Sequence, residues 1–552
     1  MIAWRPSPLV SPGGGSLSTQ GSWHHRVRWK PAAAGAALLL AAVGLLLLRI
    51  GRKPVIYDEG LVLVAADRLL AGQVPYRDFW NTHPPAQIWV IGALFRLFGE
   101  SMMVARLYDV AVKGSLAVVV FAWARRLGPP PVALAAFAAC VLWLEYYGLF
   151  GYTVFPALLL ALVALALAVR ALESGRAVRL RLFAAGLITG LAALFRLDFA
   201  GYVAATIVVL AGVALGSAGG GTLGARRRGT TLGIAAWAAG AMAPPLAVLV
   251  LLRAQGVTLA RLFATLVVYP TTVFAETRRL PVPAFSPRTL VYHVPVWLGA
   301  AGLVWAARLA WRRRDVRAGL PWLALSLLLL FSLPQARTRA DLEHQMPVLL
   351  LSLALAAGLW FELWRGGGAL RRATALLAAG TLALTYAGHP IASLLRIRAV
   401  ETTFAHGLPR AKGVALDVDQ AAALRAVRES TRPADSLYVG LGRHDRARFN
   451  DALFYFLAER RYATGHHNLL PGLVTRADVQ QEMISELRAS RPPLAVLCTT
   501  FDETVEPNRS RQTGSPMLDD YVRSAYALSQ RKGNYQIWVR REASMPRERG
   551  GE

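Results

Sequence analysis

Residues 31–48 read PAAAGAALLLAAVGLLLL, an uncharged apolar run of 18 residues. A run of this length crosses the hydrocarbon of a bilayer as a helix. Shortly beyond it, the stretch Tyr57-Asp58-Glu59-Gly60 carries two adjacent carboxylates. We therefore predict a first membrane-spanning helix, followed by an acidic pair at the membrane surface.

The composition of the whole chain is that of a polytopic membrane protein. Of its 552 residues, 55% are apolar, and uncharged apolar runs recur at regular intervals. The net charge of +28 does not indicate nucleic-acid binding, because the arginines cluster in short loops between apolar runs. Such clusters are explained by membrane topology, since cytoplasmic loops are enriched in basic residues.

About eleven apolar segments are long enough to be spans. The basic short loops place the N-terminus inside, and an odd number of spans then places the C-terminus outside. Residues 1–30 are predicted to be a disordered cytoplasmic tail, and residues 253–288 a folded outside loop. This topology predicts a multi-pass protein of the bacterial cytoplasmic membrane. The predicted segments are 31–50, 103–123, 131–146, 154–172, 182–195, 199–216, 230–252, 289–311, 319–334, 345–364 and 373–394.

From about residue 400 the composition changes to that of a soluble domain. Periodicity predicts helices at 420–430 and 476–490, alternating with three strands. The sequence therefore predicts a transmembrane domain over 31–398 and a small extracytoplasmic α/β domain over 399–545, called here the C-terminal region. The predicted strands are 436–440, 494–499 and 535–539.

Residues 51–101, called here the first loop, contain two amphipathic pieces, 61–70 and 86–98. Such pieces can lie in the membrane interface with their apolar faces toward lipid. Asp58 and Glu59 precede the first piece, and two interpretations are open. They cap or favour a helix N-terminus, or they are functional carboxylates at the membrane surface.

A series of short motifs in this part of the chain resembles the opening of the glycosyltransferase C superfamily. The resemblance is to its polyprenyl-phosphate-sugar-dependent transferases, such as protein O-mannosyltransferases and lipid A aminoarabinose transferases. It covers about the first 110 residues well and the later span pattern loosely. The motifs are Tyr57-Asp58-Glu59-Gly60, Gly72-Gln73-Val74-Pro75-Tyr76-Arg77-Asp78, His83-Pro84-Pro85, Leu97-Phe98-Gly99 and Ala105-Arg106-Leu107.

The resemblance implies a glycosyltransferase C-like fold and roles for four residues. Asp58 corresponds to the acidic residue at the catalytic centre, with Glu59 adjacent. His83 occupies a position that is basic in many members, and Arg106 lies in the element that matches a phosphate contact. Some members need a metal and others do not, so a divalent cation on Asp58 and Glu59 stays open, and no other metal site or cofactor is predicted.

Further cations lie near the predicted outside face, where topology does not explain them. Arg196 either pairs with Asp198 in a short turn or binds a lipid phosphate, because a guanidinium makes bidentate contacts with phosphate. Arg337, Arg339 and His344 precede the tenth segment as interfacial anchors or as ligands of a phosphate headgroup.

The function predicted from these residues is transfer of a sugar, a hexose or pentose, from a polyprenyl monophosphate to a hydroxyl acceptor. The acceptor is a protein, a lipid or a cell-envelope glycan, and Asp58 is the general base of an inverting reaction. Two alternatives are open. One is a non-enzymatic lipid-linked glycan transporter or assembly protein, and the other is a glycan ligase or polymerase with a lipid-diphosphate donor.

Overall fold

The computed structural model describes residues 31–216, 223–394, 401–470, 472–502 and 513–541. The predicted tail, residues 1–30, lies outside the described residues. Fourteen helices precede the C-terminal region within the described part of the chain. They are α1 (Pro31–Leu47), α2 (Asp58–Leu70), α3 (Ala86–Phe98), α4 (Met102–Leu127), α5 (Pro130–Tyr147), α6 (Val154–Ser174), α7 (Val178–Ala193), α8 (Leu197–Gly216), α9 (Leu223–Ala254), α10 (Leu259–Arg278), α11 (Leu290–Arg313), α12 (Leu320–Thr338), α13 (Leu342–Arg365) and α14 (Ala369–Leu394).

Within the described residues, ten helices are long and apolar enough to cross a membrane. They are α4 to α6 and α8 to α14. Helices α1 and α7 are shorter, with 17 and 16 residues. The predicted class, a polytopic α-helical membrane protein with a small α/β region at its C-terminal end, is confirmed.

Helix α10 corrects the prediction of a folded outside loop over 253–288. The chain is helical from Leu259 to Arg278, and its middle, Ala264–Phe274, is a π-helix that contains Pro270. Proline removes one backbone donor from a helix, and π-turns are a known way to accommodate such an interruption. The hydroxyls of Thr271 and Thr272 donate to the carbonyls of Val267 and Val268 at 2.7 and 2.6 Å.

The C-terminal region contains a five-stranded mixed sheet in the order β4-β3-β5-β7-β6. Strand β3 is parallel to β4 and β5, and β7 is antiparallel to β5 and β6. The strands and helices predicted here from periodicity are confirmed. The elements are β1 (Thr402–Thr403), β2 (Leu416–Asp417), α15 (Val418–Ser430), β3 (Ser436–Leu441), α16 (Leu453–Ala458), β4 (Arg461–Tyr462), α17 (Ala477–Ser490), β5 (Leu494–Cys498), α18 (Met517–Ala525), β6 (Tyr526–Lys532) and β7 (Tyr535–Arg540).

The two amphipathic pieces of the first loop form helices α2 and α3, and much of their apolar surface packs against protein. Ile91 and Phe95 of α3 are 1% and 2% exposed and share a hydrophobic core with the sheet of the C-terminal region. The Phe95 ring stacks on the Phe456 ring of α16 at 5.7 Å between centroids. The apolar periodicity therefore reflects protein–protein packing, which buries the same face that lipid would cover.

Candidate active site

Asp58 is the first residue of α2, and its N-cap is Tyr57. The Asp58 carboxyl group lies near enough to the side chain of Glu343, in the first turn of α13, for the two groups to interact electrostatically. The Tyr152 hydroxyl donates to the backbone carbonyl of Glu343 at 3.4 Å. A carboxyl pair is thus formed between the first loop and the start of a late span.

The segment that enters α13 adds charged groups to this carboxyl pair. Asp341 caps the helix, since its Oδ1 accepts from the backbone N–H of His344 at 2.9 Å and lies 2.7 Å from His344 Nδ1. The other oxygen, Oδ2, is 2.5 Å from Nε of Arg339. Arg339 also donates from Nη1 to the carbonyl of Arg278 at 3.0 Å, which ties the end of α10 to this segment.

These residues are called here the Asp58 cluster: Asp58, Arg278, Arg339, Asp341, Glu343 and His344. Burial raises the pKa of Asp58 above its ordinary value. His344 and Arg278 act to lower the pKa of Asp58, whereas the Asp341 carboxylate acts to raise it further. Burial also acts to raise the pKa of Asp341, but the hydrogen bonds and the charge of His344 leave that pKa below its ordinary value.

The C-terminal region supplies one side of this site. The Phe449 ring lies 4.3 Å from the Tyr57 ring, and the Arg278 guanidinium carbon lies 4.1 Å from the centroid of the Phe449 ring. The Tyr57 hydroxyl donates to Oδ1 of Asn468 at 2.9 Å. Phe449 is therefore packed between the residue before Asp58 and a cation of the Asp58 cluster.

Glu59, the other member of the predicted acidic pair, lies in a different contact. Its two carboxylate oxygens accept from Nε and Nη2 of Arg106 at 2.7 and 2.8 Å, and the two side chains are 2% and 0% exposed. Arg106 also donates from Nη1 to the carbonyls of Ile50 and Arg52. Glu59 and Arg106 thus neutralise each other away from the Asp58 cluster, which speaks against the predicted catalytic and phosphate-binding roles.

Arg196 and Asp198 pair with each other, as one of the two sequence interpretations held. Arg196 donates from Nε and Nη2 to the two Asp198 oxygens at 3.0 and 2.6 Å. The Arg196–Asp198 pair acts electrostatically on His83 and Tyr152, so it lies beside the Asp58 cluster and outside it.

His83 lines a small cleft of uncharged polar side chains. Burial, followed by the charge of Arg196, lowers the pKa of His83 to about 3, so the imidazole is neutral near pH 7. It is therefore not the cation that its position in the sequence motif suggested. The cleft also includes Asn81, Gln87, Thr153 and Asn468, together with Leu61 and Val62 of α2. Leu61 and Val62 follow Asp58 by one helical turn, on the same face of α2.

Of the three residues predicted around the start of α13, two join the Asp58 cluster. Arg339 and His344 both contact Asp341, as described above. Arg337 is exposed in the last turn of α12 and makes no ion pair with another described residue.

Sequence reasoning missed Glu343 and Arg278. An acid in the first turn of a span is costly and therefore informative, which is the signal that Glu343 offered. Arg278 lies on the predicted outside face, where basic residues have no topological explanation. The same argument was applied to Arg337 and Arg339.

The carboxylates of Asp58 and Glu59 do not form a joint cation site, because both oxygens of Glu59 bind Arg106. Within the described ranges, no group of three or more His, Cys, Asp and Glu side chains is placed to hold a metal ion. The chemistry that this arrangement offers is proton transfer by a half-buried carboxyl group, with cations close by.

Residues 82–247 match the family model described as dolichyl-phosphate-mannose-protein mannosyltransferase. The fold is similar to that of ArnT from Cupriavidus metallidurans in the apo state, with a TM-score of 0.53 and 16% identity. That alignment covers 92% of this chain and 98% of ArnT. The predicted resemblance to the glycosyltransferase C superfamily is confirmed, and the chain is a multi-pass membrane protein with the glycosyltransferase C fold.

Two further structures resemble this chain. ArnT from Cupriavidus metallidurans bound to undecaprenyl phosphate has a TM-score of 0.48 and 14% identity, over 93% of this chain and 97% of ArnT. The archaeal oligosaccharyltransferase AglB from Archaeoglobus fulgidus, in complex with an inhibitory peptide and a dolichol-phosphate, has a TM-score of 0.49 and 13% identity, over 94% of this chain and 76% of AglB. Among curated proteins, none matches the chain.

Proposed function

We propose that this protein is a membrane glycosyltransferase that moves a sugar from a polyprenyl monophosphate to a hydroxyl acceptor. The reaction takes place on the extracytoplasmic face of the bacterial cytoplasmic membrane and inverts the anomeric centre. The N-terminus is inside and the C-terminal region outside. The observation that carries the proposal is the position of Asp58, a half-buried carboxyl group with cations around it, beside a late span.

The family match supports the class of donor. The description of that family names a dolichyl-phosphate-linked mannose, which is a sugar on a polyprenyl monophosphate. This description belongs to the family, and the identity of the sugar that this chain uses is part of the test below. A hexose and a pentose satisfy the same chemistry at the anomeric carbon.

The acceptor hydroxyl is a weak nucleophile at neutral pH, so a base must take its proton as it attacks the anomeric carbon. Asp58 is that base in this proposal. As the new C–O bond forms, the bond from the anomeric carbon to the phosphate oxygen breaks, and its electrons stay on the phosphate. The transition state has oxocarbenium character, as in other glycosyl transfers.

The leaving group is an anionic phosphate, which requires charge stabilisation more than a proton. Arg278 and Arg339 provide fixed positive charge within the Asp58 cluster, and Arg196 lies beside it. Cations held in place before the reaction stabilise charge that develops in the transition state, and they do so most effectively where water is excluded.

The experiment is an in-membrane transfer assay with a panel of polyprenyl-phosphate sugars. We expect wild type to consume at least one of them, and Asp58→Asn to lose transfer by about 10²-fold or more, the usual contribution of a general base. Asp67→Asn is the matched control, because Asp67 lies on the same helix but pairs with Arg410 at 3.0 Å. Transfer retained by Asp58→Asn contradicts the role of Asp58.

The panel also separates the two alternatives. Consumption of a lipid-diphosphate glycan, with the monophosphate sugars untouched, identifies a ligase or polymerase. Transport or assembly without any transfer, unchanged in Asp58→Asn, identifies a non-enzymatic protein.

A further inference from the structure

The cleft that His83 lines, called here the His83 cleft, contains a buried polar group without a partner. Gln87, in the first turn of α3, lines this cleft and is 1% exposed. Its Oε1 lies 3.3 Å from the Tyr108 hydroxyl, but its Nε2 has no hydrogen-bond partner among the described residues. A buried donor without an acceptor costs free energy, and a ligand oxygen that reaches the donor recovers that cost. The unpartnered amide therefore indicates that an acceptor group binds in the His83 cleft.

The lining of the His83 cleft disfavours a charged ligand group. None of the described residues that line it is Asp, Glu, Lys or Arg, and the lowered pKa of His83 keeps its imidazole neutral near pH 7. A phosphate would find no cation in this lining, and an ammonium group would find no carboxylate and has no lone pair to accept from Gln87. The Thr153 hydroxyl and the Asn468 amide supply further uncharged donors and acceptors. A group that both donates and accepts, such as a hydroxyl, fits this lining best.

The size of the His83 cleft limits the ligand group further. Its cavity volume is about 20 Å³, and one water molecule needs about 10–15 Å³ on this measure. A single hydroxyl group fits into such a volume, whereas a sugar ring or an N-acetyl group does not. The cleft therefore holds one small substituent of a ligand whose bulk lies outside it.

The His83 cleft adjoins the groups that are proposed to act on the donor. Two residues of α2 that line the cleft follow Asp58 by one helical turn. At the start of α3, the backbone N–H of Ala86 donates at 3.0 Å to the carbonyl of Leu194, two residues before Arg196. A sugar with its anomeric carbon beside Asp58 and its phosphate toward Arg196 thus has a substituent within reach of the cleft.

We propose that the His83 cleft receives one hydroxyl group of the transferred sugar, and that Gln87 is a specificity-determining residue that donates a hydrogen bond from Nε2 to this hydroxyl. The inference rests on the proposed function and names its substrate class more closely. The sugar is uncharged at the position that enters the cleft and carries a free hydroxyl there. A sugar that is deoxygenated or aminated at this position leaves the Gln87 donor without an acceptor, and a sugar that is acetylated there does not fit.

The first test compares a polyprenyl-phosphate sugar with its monodeoxy analogues, in each of which one hydroxyl is replaced with hydrogen. The parent is the sugar that wild type consumes best in the transfer assay described above. We expect one analogue to lose about 10- to 100-fold in kcat/KM, because a site built to hydrogen-bond a hydroxyl discriminates against its absence. A wild type that uses every monodeoxy analogue as well as the parent overturns the inference, and this comparison requires no variant.

Gln87→Met attributes this discrimination to the cleft. Methionine is similar in length but has no donor, so the ratio of kcat/KM between parent and analogue should fall to about one in Gln87→Met. A general loosening of the fold would lower kcat/KM for both substrates and leave the ratio unchanged. Gln345→Met is the matched control and should keep the wild-type ratio, because Gln345 is also buried with an unpartnered Nε2 but is not among the described residues that line the cleft. An unchanged ratio in Gln87→Met, or an equal loss of the ratio in Gln345→Met, contradicts the inference.

Binding provides a second readout, which does not depend on transfer. Asp58→Asn is the background, because it is expected to bind the donor without consuming it. We expect at least one polyprenyl-phosphate sugar of the panel to raise the thermal midpoint of detergent-solubilised Asp58→Asn more than polyprenyl phosphate without a sugar does. Adding Gln87→Met should reduce this excess, and an excess that it leaves unchanged overturns the inference. A wild type that transfers no sugar counts against the proposed function, and in that case the binding comparison still tests the cleft.

Discussion

At the scale of single residues, the adjacent carboxylates Asp58 and Glu59 have opposite surroundings. Successive residues of an α-helix point about 100° apart, so two neighbours in the sequence can face different partners. Asp58 turns toward α13, and Glu59 turns toward Arg106 of α4. Burying an ion pair of this kind costs desolvation free energy. Removing one partner lowers the stability more than replacing both partners with apolar residues, because it leaves the other charge buried and unpaired.

Substitution of Arg106 tests the structural role of that ion pair. In Arg106→Met, the Glu59 carboxylate stays buried without its bidentate partner, and the carbonyls of Ile50 and Arg52 lose a donor. We expect a loss of about 3–5 kcal/mol in stability, measured as a lower thermal midpoint of the detergent-solubilised protein.

Lys53→Met is the control for Arg106→Met, because the Lys53–Asp417 pair is 38% and 30% exposed. Exposed pairs contribute about 0–1 kcal/mol, so its thermal midpoint should barely move. An Arg106→Met protein with an unchanged midpoint and a lost affinity for the lipid donor would instead support the phosphate contact that the sequence motif suggested.

At the scale of elements, the contact between α2 and α16 sets the position of Asp58. The backbone N–H of Leu453 donates to the carbonyl of Ile56 at 3.0 Å, just before α2 begins. Gly60 lies directly against the same residue, where a Cβ atom would meet the backbone nitrogen of Leu453 at 2.2 Å. The absence of a side chain at Gly60 therefore allows the first loop and the C-terminal region to approach this closely.

Gly60→Ala is expected to separate α2 from α16. The atoms that a Cβ would meet are all backbone atoms, so neither element can yield by a simple rotamer change. We expect faster limited proteolysis within residues 401–541 and a lower thermal midpoint. The control is Gly92→Ala in α3, where the nearest atom is 3.8 Å away and alanine improves helix propensity. Equal proteolysis of the two variants would show that the close approach at Gly60 is unimportant.

At the scale of the whole molecule, the site is assembled from the first loop, the end of α10, the start of α13 and the C-terminal region. The C-terminal region contributes Phe449 and Asn468, so it is more than a separate appendage of the bundle. Its hydrophobic core is continuous with that of α2 and α3. Loosening the C-terminal region should therefore change the reaction, even though none of its residues belongs to the Asp58 cluster.

Phe449→Ala tests this coupling. Removing the ring leaves Tyr57 and Arg278 without their common packing partner, and small displacements of positioned groups cost up to about 10²-fold in rate. We expect transfer to fall by about tenfold or more in Phe449→Ala and to be retained in Phe449→Tyr, which keeps the ring. Phe404→Ala, at a position 65% exposed in the same region, is the control. Full activity of Phe449→Ala would restrict the C-terminal region to another role.

The sequence by itself determined the class of this protein and most of its elements. The length of a spanning apolar run is set by the thickness of the bilayer, so the spans can be predicted from the sequence. The strands of the C-terminal region can be predicted as well, because short apolar runs between turns are typical of strands. The motif series around Asp58 identified the first loop as the segment that carries the catalytic candidate, and the role of Asp58 stays a prediction. The helix over Leu259–Arg278 was missed because Pro270, Pro281 and Pro283 indicate a loop. Pro270 lies within the helix, in its π-helical middle, and the other two prolines follow the helix.

Only the tertiary structure decided which charged residues meet. Ion pairing depends on which side of each helix faces which neighbour. A one-residue shift along a helix turns the side chain by about 100°, which is enough to change its partner, as Asp58 and Glu59 demonstrate. The partner of Asp58 lies nearly three hundred positions along the chain, at a distance where local periodicity carries no information. The same holds for the apolar faces of α2 and α3, because burial against lipid and burial against protein require the same residues.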